Sequence, residues 1–447
     1  MTANGAGAST SGPVALLGFP AESVTLALML AVFLALVVWR KWPIGIALVL
    51  AAWAGAAING TYLPARHLIE GAFSYLDPIL VIATAMIFMR VLADGGALTA
   101  AGALVERTFS SRPAALLPLV MLMVMFPGMI TGSSTASVLT TGAMAAPILI
   151  GLGLPPARAA ALIAMGGVLG MVAPPVNIPA MLIGGGIDLP YVGFDGPLAL
   201  AAFPTALVVC YGLGWPLLWT RHRLIARPLG RQTAVSATLP RLPFWRVIVP
   251  IVTGAVLMVA PRAWPAWIPD PGLPLTFLVA AGVGILVLPR FPVAQSAERA
   301  MREALPVLGI LTGVGGFIQV MTLTGGRGWI VSVMLGAPAW AILAAAAVSL
   351  PLFGAVSAFG SASVLGVPFL LTLLGRDEIV TTSALSLLAG LGDLMLPAAV
   401  AATLAAQVAG VGNRRHVLTL CLVPALVSIA VAVLMLIFSP DIGRWLR

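Results

Sequence analysis

The sequence predicts an all-α polytopic membrane protein with about ten membrane crossings and two re-entrant helical hairpins. Hydrophobic residues occupy 60% of the 447 positions and charged residues 8%, and the mean hydropathy is +1.09. This composition is typical of an integral membrane protein. The 48 glycines and 36 prolines indicate closely packed and broken helices. Two Gly/Ser clusters, at 132–137 and 360–363, interrupt long apolar segments.

The apolar segments place the membrane helices along the chain. Spans are predicted at about 23–39, 43–58, 76–93, 159–187 (broken), 198–219, 246–263, 273–289, 304–323, 379–410 (broken) and 417–438. Two further apolar segments, 114–150 and 338–375, are predicted to turn back at their Gly/Ser clusters.

The basic residues orient these spans. With the N-terminus outside, 16 of the 23 basic residues lie on the inner side and six on the outer side, which satisfies the positive-inside rule. Both termini are therefore predicted to lie on the outer side of the membrane, which in a bacterial inner membrane is the periplasmic side. The basic segment from Arg221 to Arg246 is predicted to be an inner loop that contacts anionic lipid.

The two halves repeat at a separation of about 225 residues. The tetrapeptide ASVL occurs at 136–139 and at 362–365, each time after a Gly pair and before a Gly-rich helix that ends in proline. The shared order indicates an internal repeat. The first unit starts outside and the second inside, so the repeat is inverted.

The repeat divides the chain into five predicted parts. They are N-terminal scaffold helices (1–75), transport repeat 1 with hairpin 1 (76–187), scaffold helices with a basic cytoplasmic loop (188–302), transport repeat 2 with hairpin 2 (303–412) and a C-terminal helix (413–447).

The interrupted helices predict a secondary transporter. Irregular backbone at membrane depth is tolerated only where protein buries it or where it lines a cavity, and paired breaks in two halves mark the binding sites of repeat-built carriers. Helix N-termini at such breaks suit a carboxylate, whereas hydroxyl groups and unwound carbonyl groups suit Na⁺. The predicted substrate-binding residues are Ser134, Thr135, Asn177 and Ser363. The predicted ion-binding residues are Gly132, Ser133, Pro174, Gly360, Ser361, Gly392 and Asp393.

Several polar positions have a structural alternative. Asp393 is predicted to bind an ion or carry a proton, because an ionisable residue within a span is costly, and capping of the broken helix is its alternative. Asn177 is predicted either to cap a helix or to bind substrate. Arg90 and Asp94 are predicted to form a local ion pair or to snorkel, with substrate contact as the alternative.

Residues 75–205 resemble the large membrane subunit of tripartite ATP-independent periplasmic (TRAP) transporters. The resemblance rests on FPGMITGSSTASVLTTGAMAAPILIGLGLPPARAAALIAMGGVLGMVAPPVNIPAMLIGGG at 126–186, and it continues more weakly through Gly360, Ser361 and Pro397. The chain departs from the family at Val176-Asn177, where the family usually has Ser after the double proline, and at Leu396-Pro397, where it has two prolines.

The resemblance implies an elevator-type carrier of an organic acid, usually driven by Na⁺, with a small four-helix membrane subunit and a periplasmic substrate-binding protein as partners. A self-sufficient organic anion carrier of the same superfamily is the alternative. No cofactor and no nucleic-acid partner are expected. A channel is less consistent with the inverted repeat, and an enzyme is less consistent with the scarcity of acid–base groups in the spans.

Overall fold

The computed structural model describes residues 20–109, 112–219, 242–264 and 266–446. These residues form helices joined by short loops, with no strand among them. In chain order the helices are α1 (Ala21–Trp39), α2 (Ile44–Ile58), α3 (Ala65–Phe73), α4 (Leu76–Asp94), α5 (Ala97–Phe109), α6 (Pro113–Thr131), α7 (Ser134–Gly151), α8 (Pro156–Val172), α9 (Ile178–Gly185), α10 (Asp195–Trp219), α11 (Phe244–Ala263), α12 (Gly272–Val287), α13 (Val293–Leu323), α14 (Gly326–Leu335), α15 (Ala339–Gly354), α16 (Ala358–Thr372), α17 (Glu378–Gly390), α18 (Val400–Val408), α19 (Arg414–Ile437) and α20 (Ser439–Leu446).

The predicted all-helical membrane architecture is confirmed. Within the described ranges eight helices are long and apolar enough to cross a membrane, and several shorter apolar helices accompany them. The number of crossings stays a prediction. Most of the predicted basic loop, Arg221–Arg241, lies outside the described residues.

Four short helices and the N-terminal part of α13 were not predicted from hydropathy. Helices α3, α5, α14 and α20 are short, and none of them was predicted. Helix α13 begins at Val293, well before the predicted 304. The charged residues at its start do not prevent a helix there, because Arg302 pairs with Glu298 one turn away.

The internal repeat is visible as a repeated order of elements. Helices α4–α10 and α13–α19 each run as a long helix, a short helix, a two-helix hairpin, a broken helix pair and a long helix. The hairpins are α6–α7 (hairpin 1) and α15–α16 (hairpin 2). The second arm of each contains one π-helical turn, at Val138–Gly142 and Ala362–Gly366.

Helices α1–α4 and α11–α14 pack together, and we call this group the scaffold bundle. Helix α13 lies at its centre against α2, α3 and α4. The contacts require glycine: a side chain at Gly71 or Gly315 would overlap the backbone of the other residue. A side chain at Gly45 would overlap the Gly309 backbone, and one at Gly313 would overlap the Gly45 backbone. Small residues let helix backbones approach closely where lipid supplies no hydrophobic driving force.

Helices α6–α10 and α15–α19 form a second group, the hairpin bundle, around α8. Helix α8 packs against α6, α7, α10, α18 and α19, and it is buried along most of its length. The two bundles meet mainly through α5 and α14, which lead into the two hairpins, and along α4 and α6.

The predicted domain boundaries do not follow this packing. Helices α4 and α13 were predicted within the transport repeats, yet they pack in the scaffold bundle, and α10 was predicted as scaffold but packs on α6, α8 and α17. The sequence repeat marks where the units begin. It does not mark which helices share a core, because the first helices of the two units, α4 and α13, pack against each other rather than within their own units.

Ion pairs join α4 to α13 and α10 to α11. Arg90 donates to Asp94 at 3.1 Å, as predicted, and also to Glu303 of α13 at 3.0 Å. Arg262 of α11 pairs with Asp195 of α10.

The glycine contacts in the scaffold bundle predict an asymmetry between two Gly→Ala changes in α13. We expect Gly315→Ala to lower the melting temperature of the purified protein by several degrees, because its methyl group would overlap the Gly71 backbone and overpacking costs about 1–3 kcal/mol. Gly309→Ala is the matched control, since its added carbon has no neighbour within 4 Å. Equal melting temperatures for the two variants would contradict the packing described here.

Candidate functional site

The tip of hairpin 1 is a glycine turn followed by a capped helix. Gly132 adopts a left-handed conformation (φ 63°) that ends α6, and a side chain there would meet Ile178. The Ser133 hydroxyl accepts from the Ala136 backbone N–H at 3.3 Å and so caps α7. Among the described residues, the backbone N–H groups of Ser134 and Thr135 have no hydrogen-bond partner. The tip is therefore a helix N-terminus with partial positive charge.

The tip of hairpin 2 is also a serine-capped helix N-terminus, but the capping serine is not the residue that was predicted to lie at the tip. Ser357 caps α16, and its hydroxyl accepts from the Gly360 N–H at 3.0 Å. The predicted tip residue Ser361 lies one turn further along, where it donates to the Leu350 carbonyl at 2.6 Å. Ser363 donates to the Gly360 carbonyl at 2.9 Å and is fully buried.

The repeated tetrapeptide caused this error. ASVL begins three residues after the capping Ser133 but five residues after the capping Ser357. The structural equivalent of Ser133 is therefore Ser357, and Ser361 corresponds to Ser137. The sequence signal for Ser357 was a Ser preceding a short helical segment, and the more conspicuous GSASVL obscured it.

Each broken helix is interrupted at a proline that follows a cis peptide bond. In the first half the bond is Pro174-Pro175, between α8 and α9, and in the second half it is Leu396-Pro397, between α17 and α18. The Val176 N–H donates to the Met129 carbonyl at 3.1 Å, which joins the first break to hairpin 1. Gly392 contacts the Gly354 backbone, which joins the second break to hairpin 2.

Asn177 completes the first break by hydrogen bonds in three directions. Its Oδ1 accepts from the Ala180 N–H at 2.9 Å and caps α9, and its Nδ2 donates to the Val172 carbonyl and the Ser386 hydroxyl, both at 2.8 Å. The side chain is fully buried. Its amide hydrogens are both used, so the structure corresponds to the capping alternative, and Asn177 holds the break closed rather than offering a free donor.

Asp393 connects the two halves. It lies in the single 3₁₀ turn Leu391–Leu394 that follows α17, and its carboxylate accepts a hydrogen bond from the Ser134 hydroxyl at the tip of hairpin 1. The side chain is partly exposed, and the following residues, Leu396 to Ala398, are exposed. A carboxylate therefore faces a helix N-terminus with hydroxyl groups at the point where hairpin 1 meets the second break.

The predicted site residues thus fall into two sets. The region around the tip of hairpin 1 contains Gly132, Ser133, Ser134, Pro174 and Asp393. Thr135 is partly exposed on the same turn. Gly360, Ser361 and Ser363 are buried in the wall of hairpin 2, and Gly392 packs against hairpin 2.

Tyr191 is a site residue that was not predicted from the sequence. Its hydroxyl accepts from the Asn177 N–H at 3.1 Å and donates to the Pro175 carbonyl at 3.2 Å, so it satisfies two backbone groups of the first break. Burial raises the pKa of this phenol above its ordinary value. No local pattern identifies it, because it lies in the loop between α9 and α10 and its partners precede it.

Comparisons with known proteins agree with this fold. A family model described as "Tripartite ATP-independent periplasmic transporter, DctM component" matches residues 27–442. The chain is similar in fold to the YdaH transporter of Alcanivorax borkumensis, with a TM-score of 0.55 and 15% identity over 86% of this chain and 89% of that one. It is likewise similar to MtrF of Neisseria gonorrhoeae, described as illuminating a class of antimetabolite efflux pumps, with a TM-score of 0.55 and 13% identity over 93% and 95% of the two chains. No curated protein matches the sequence.

The bonding of Asn177 predicts a stability effect that a ligand-binding residue would not produce. We expect Asn177→Ala to lower the melting temperature substantially, because the change leaves buried groups unpaired at about 1–3 kcal/mol each. Asn413→Ala is the matched control: Asn413 also caps a helix, α19, but at an exposed position, where the cap is worth about 1 kcal/mol. A variant Asn177→Ala that is as stable as Asn413→Ala would overturn the capping role.

Proposed function

The chain belongs to the DctM component family of tripartite ATP-independent periplasmic transporters, and on this premise we propose that it carries an organic acid across the bacterial inner membrane by secondary active transport coupled to Na⁺. It is a multi-pass membrane protein. In this proposal it is the large permease subunit, with both termini on the periplasmic side.

The contact between Ser134 and Asp393 carries the proposal. It brings a carboxylate, a hydroxyl group and a helix N-terminus to one place, where the tip of hairpin 1 meets the second break. No group of three or more His, Cys, Asp and Glu side chains that could hold a metal ion occurs in the described part of the chain. A cation there would be held by the Asp393 carboxylate with hydroxyl and carbonyl oxygens, which are ligands that a hard cation prefers.

We assign the ligands accordingly. Na⁺ is proposed to bind to the Asp393 carboxylate. Its other ligands would be the hydroxyl groups of Ser133 and Ser134 and carbonyl oxygens near Gly132, Pro174 and Gly392. The unpaired N–H groups of Ser134 and Thr135 are proposed to bind a substrate carboxylate. Asn177, Ser361 and Ser363 support the two walls through the hydrogen bonds described above, and Ser357 replaces Ser361 at the tip of hairpin 2.

The two bundles suggest how the site would change sides. Both hairpins and both breaks lie in the hairpin bundle, whereas the glycine contacts hold the scaffold bundle together. We propose that the hairpin bundle moves as a body against the scaffold bundle, as in an elevator mechanism. The short helices α5 and α14 are the main connections and would act as hinges.

Partners follow from the family. DctM is one component of a tripartite system, so we propose that a small four-helix membrane subunit and a periplasmic substrate-binding protein work with this chain. A self-sufficient anion carrier is the alternative. Co-purification of a four-helix subunit with the tagged chain from its native membrane would support the tripartite system, and a chain that transports alone would support the alternative.

Transport is predicted to follow the Na⁺ gradient and the membrane potential. In proteoliposomes that contain the chain and any co-purified subunit, with a binding protein added, we expect ¹⁴C-labelled succinate or another labelled carboxylate to accumulate faster with an inward Na⁺ gradient than with choline. One net charge moved across 100 mV is worth about 2.3 kcal/mol, or roughly 50-fold accumulation. Equal uptake in Na⁺-free, proton-buffered vesicles would contradict the choice of Na⁺.

Asp393 is predicted to be required for Na⁺ binding. We expect Na⁺, but not choline, to raise the melting temperature of the purified chain, since a ligand at 100 times its Kd stabilises by about 2.7 kcal/mol. Asp393→Asn should fold and lose this response because the charge is removed.

The control is Asp377→Asn, which alters an aspartate that caps the other end of the same helix. Asn and Asp cap about equally, so this variant should keep the Na⁺ response. A full Na⁺ response in Asp393→Asn would limit Asp393 to a structural contact with Ser134.

A further inference from the structure

The scaffold bundle contacts the hairpin bundle through the segment from Leu182 to Asp195, on the predicted outer side. Tyr75, between α3 and α4, donates from its hydroxyl to the Leu182 carbonyl at 3.0 Å, and both groups are buried. Tyr75 also packs against Gly315 of α13 and Gly185 of α9. One side chain thus joins the centre of the scaffold bundle to the helix that follows the first break.

An ion pair crosses between the bundles in the same segment. Asp195, at the start of α10, pairs with Arg262, at the end of α11. The other ion pairs in the described ranges join residues of one helix or of two helices in the scaffold bundle. Each charge also lies at the helix end whose dipole favours it. Neither residue therefore needs the other to hold its helix, which suits a pair that opens and closes.

A cavity of about 120 Å³ lies between the bundles beside the Arg262–Asp195 pair. The hairpin bundle and its loop contribute Tyr191, Phe194 and Pro175, and the scaffold bundle with its loop contributes Met258, Thr276 and Asp270. Pro175 belongs to the first break. The cavity therefore extends from the ion pair to the interrupted helix.

We propose that Asp195 and Arg262 form an electrostatic latch that closes the outer cleft between the two bundles. The latch opens when the hairpin bundle shifts, and the freed Arg262 then faces an arriving anion at the mouth of the cavity. This inference rests on the proposed function for the movement of the bundle. The weakness of an exposed pair is an advantage here, because it can be broken in every cycle. Tyr191 and Asp270 are the other titratable groups lining the cavity beside the pair.

The test measures access to the cavity and needs no substrate. Thr276, which lines the cavity and is 1% exposed, is changed to Cys in a background of Cys210→Ala and Cys421→Ala, and its rate of labelling by a maleimide is measured on the purified chain. We expect Asp195→Asn and Arg262→Gln to raise this rate up to about five-fold, which corresponds to an exposed pair of up to about 1 kcal/mol.

The charge exchange Asp195→Arg with Arg262→Asp should return the labelling rate towards that of the parent. Arg302→Gln, which removes an exposed pair within α13, is the control and should leave the rate unchanged. Unchanged labelling in both single variants, or a charge exchange that labels as fast as they do, would overturn the latch. Melting temperatures close to that of the parent show that each variant is folded.

The latch and the proposed function can fail separately. Faster labelling with no carboxylate uptake by the parent chain in any reconstitution would retain the latch and reject the transport proposal. Carboxylate uptake with no change in labelling would retain transport and reject the latch.

Discussion

Backbone N–H and carbonyl groups cannot remain unpaired in hydrocarbon, and this constraint governs the centre of the structure. Each helix break releases such groups, and other parts of the chain satisfy them. The first break is closed by Met129, Asn177 and Tyr191, and each hairpin tip by a capping serine. What remains unpaired at the tip of hairpin 1 is a small set of donors, and a carboxylate lies beside them. The candidate site is thus the part of the breaks that the protein leaves open.

The two bundles pack in different ways. The scaffold bundle brings backbones together at paired glycines, and these contacts do not depend on side-chain rotamers. The hairpin bundle surrounds a helix, α8, with short pieces and π-helical turns that are common at functional sites. A rigid part and an interrupted part therefore exist side by side, which is the arrangement that alternating access needs.

Much of the fold could be predicted from the sequence, because apolar segments and turn residues are local signals. The breaks, the Gly/Ser tip of hairpin 1 and the Arg90–Asp94 pair were all readable in this way. Contacts between distant segments were not. Nothing local joins Ser134 to Asp393, Asn177 to Ser386 or Tyr191 to Pro175. Aligning the two halves on ASVL also shifted the predicted tip of hairpin 2 by two residues, because the same tetrapeptide lies at different distances from the two capping serines.

The length of α13 gives the bilayer itself a role. At 1.5 Å per residue its 31 residues extend about 46 Å, well beyond a hydrocarbon core of about 30 Å. Its charged first turns are tied to Arg90 and Asp94, so α4 and α13 are held together at this end. Helix α8, with 17 residues and about 25 Å, is shorter than the core. Membrane thickness therefore acts unequally on these two helices: a thicker bilayer is matched by the length of α13 but exceeds that of α8.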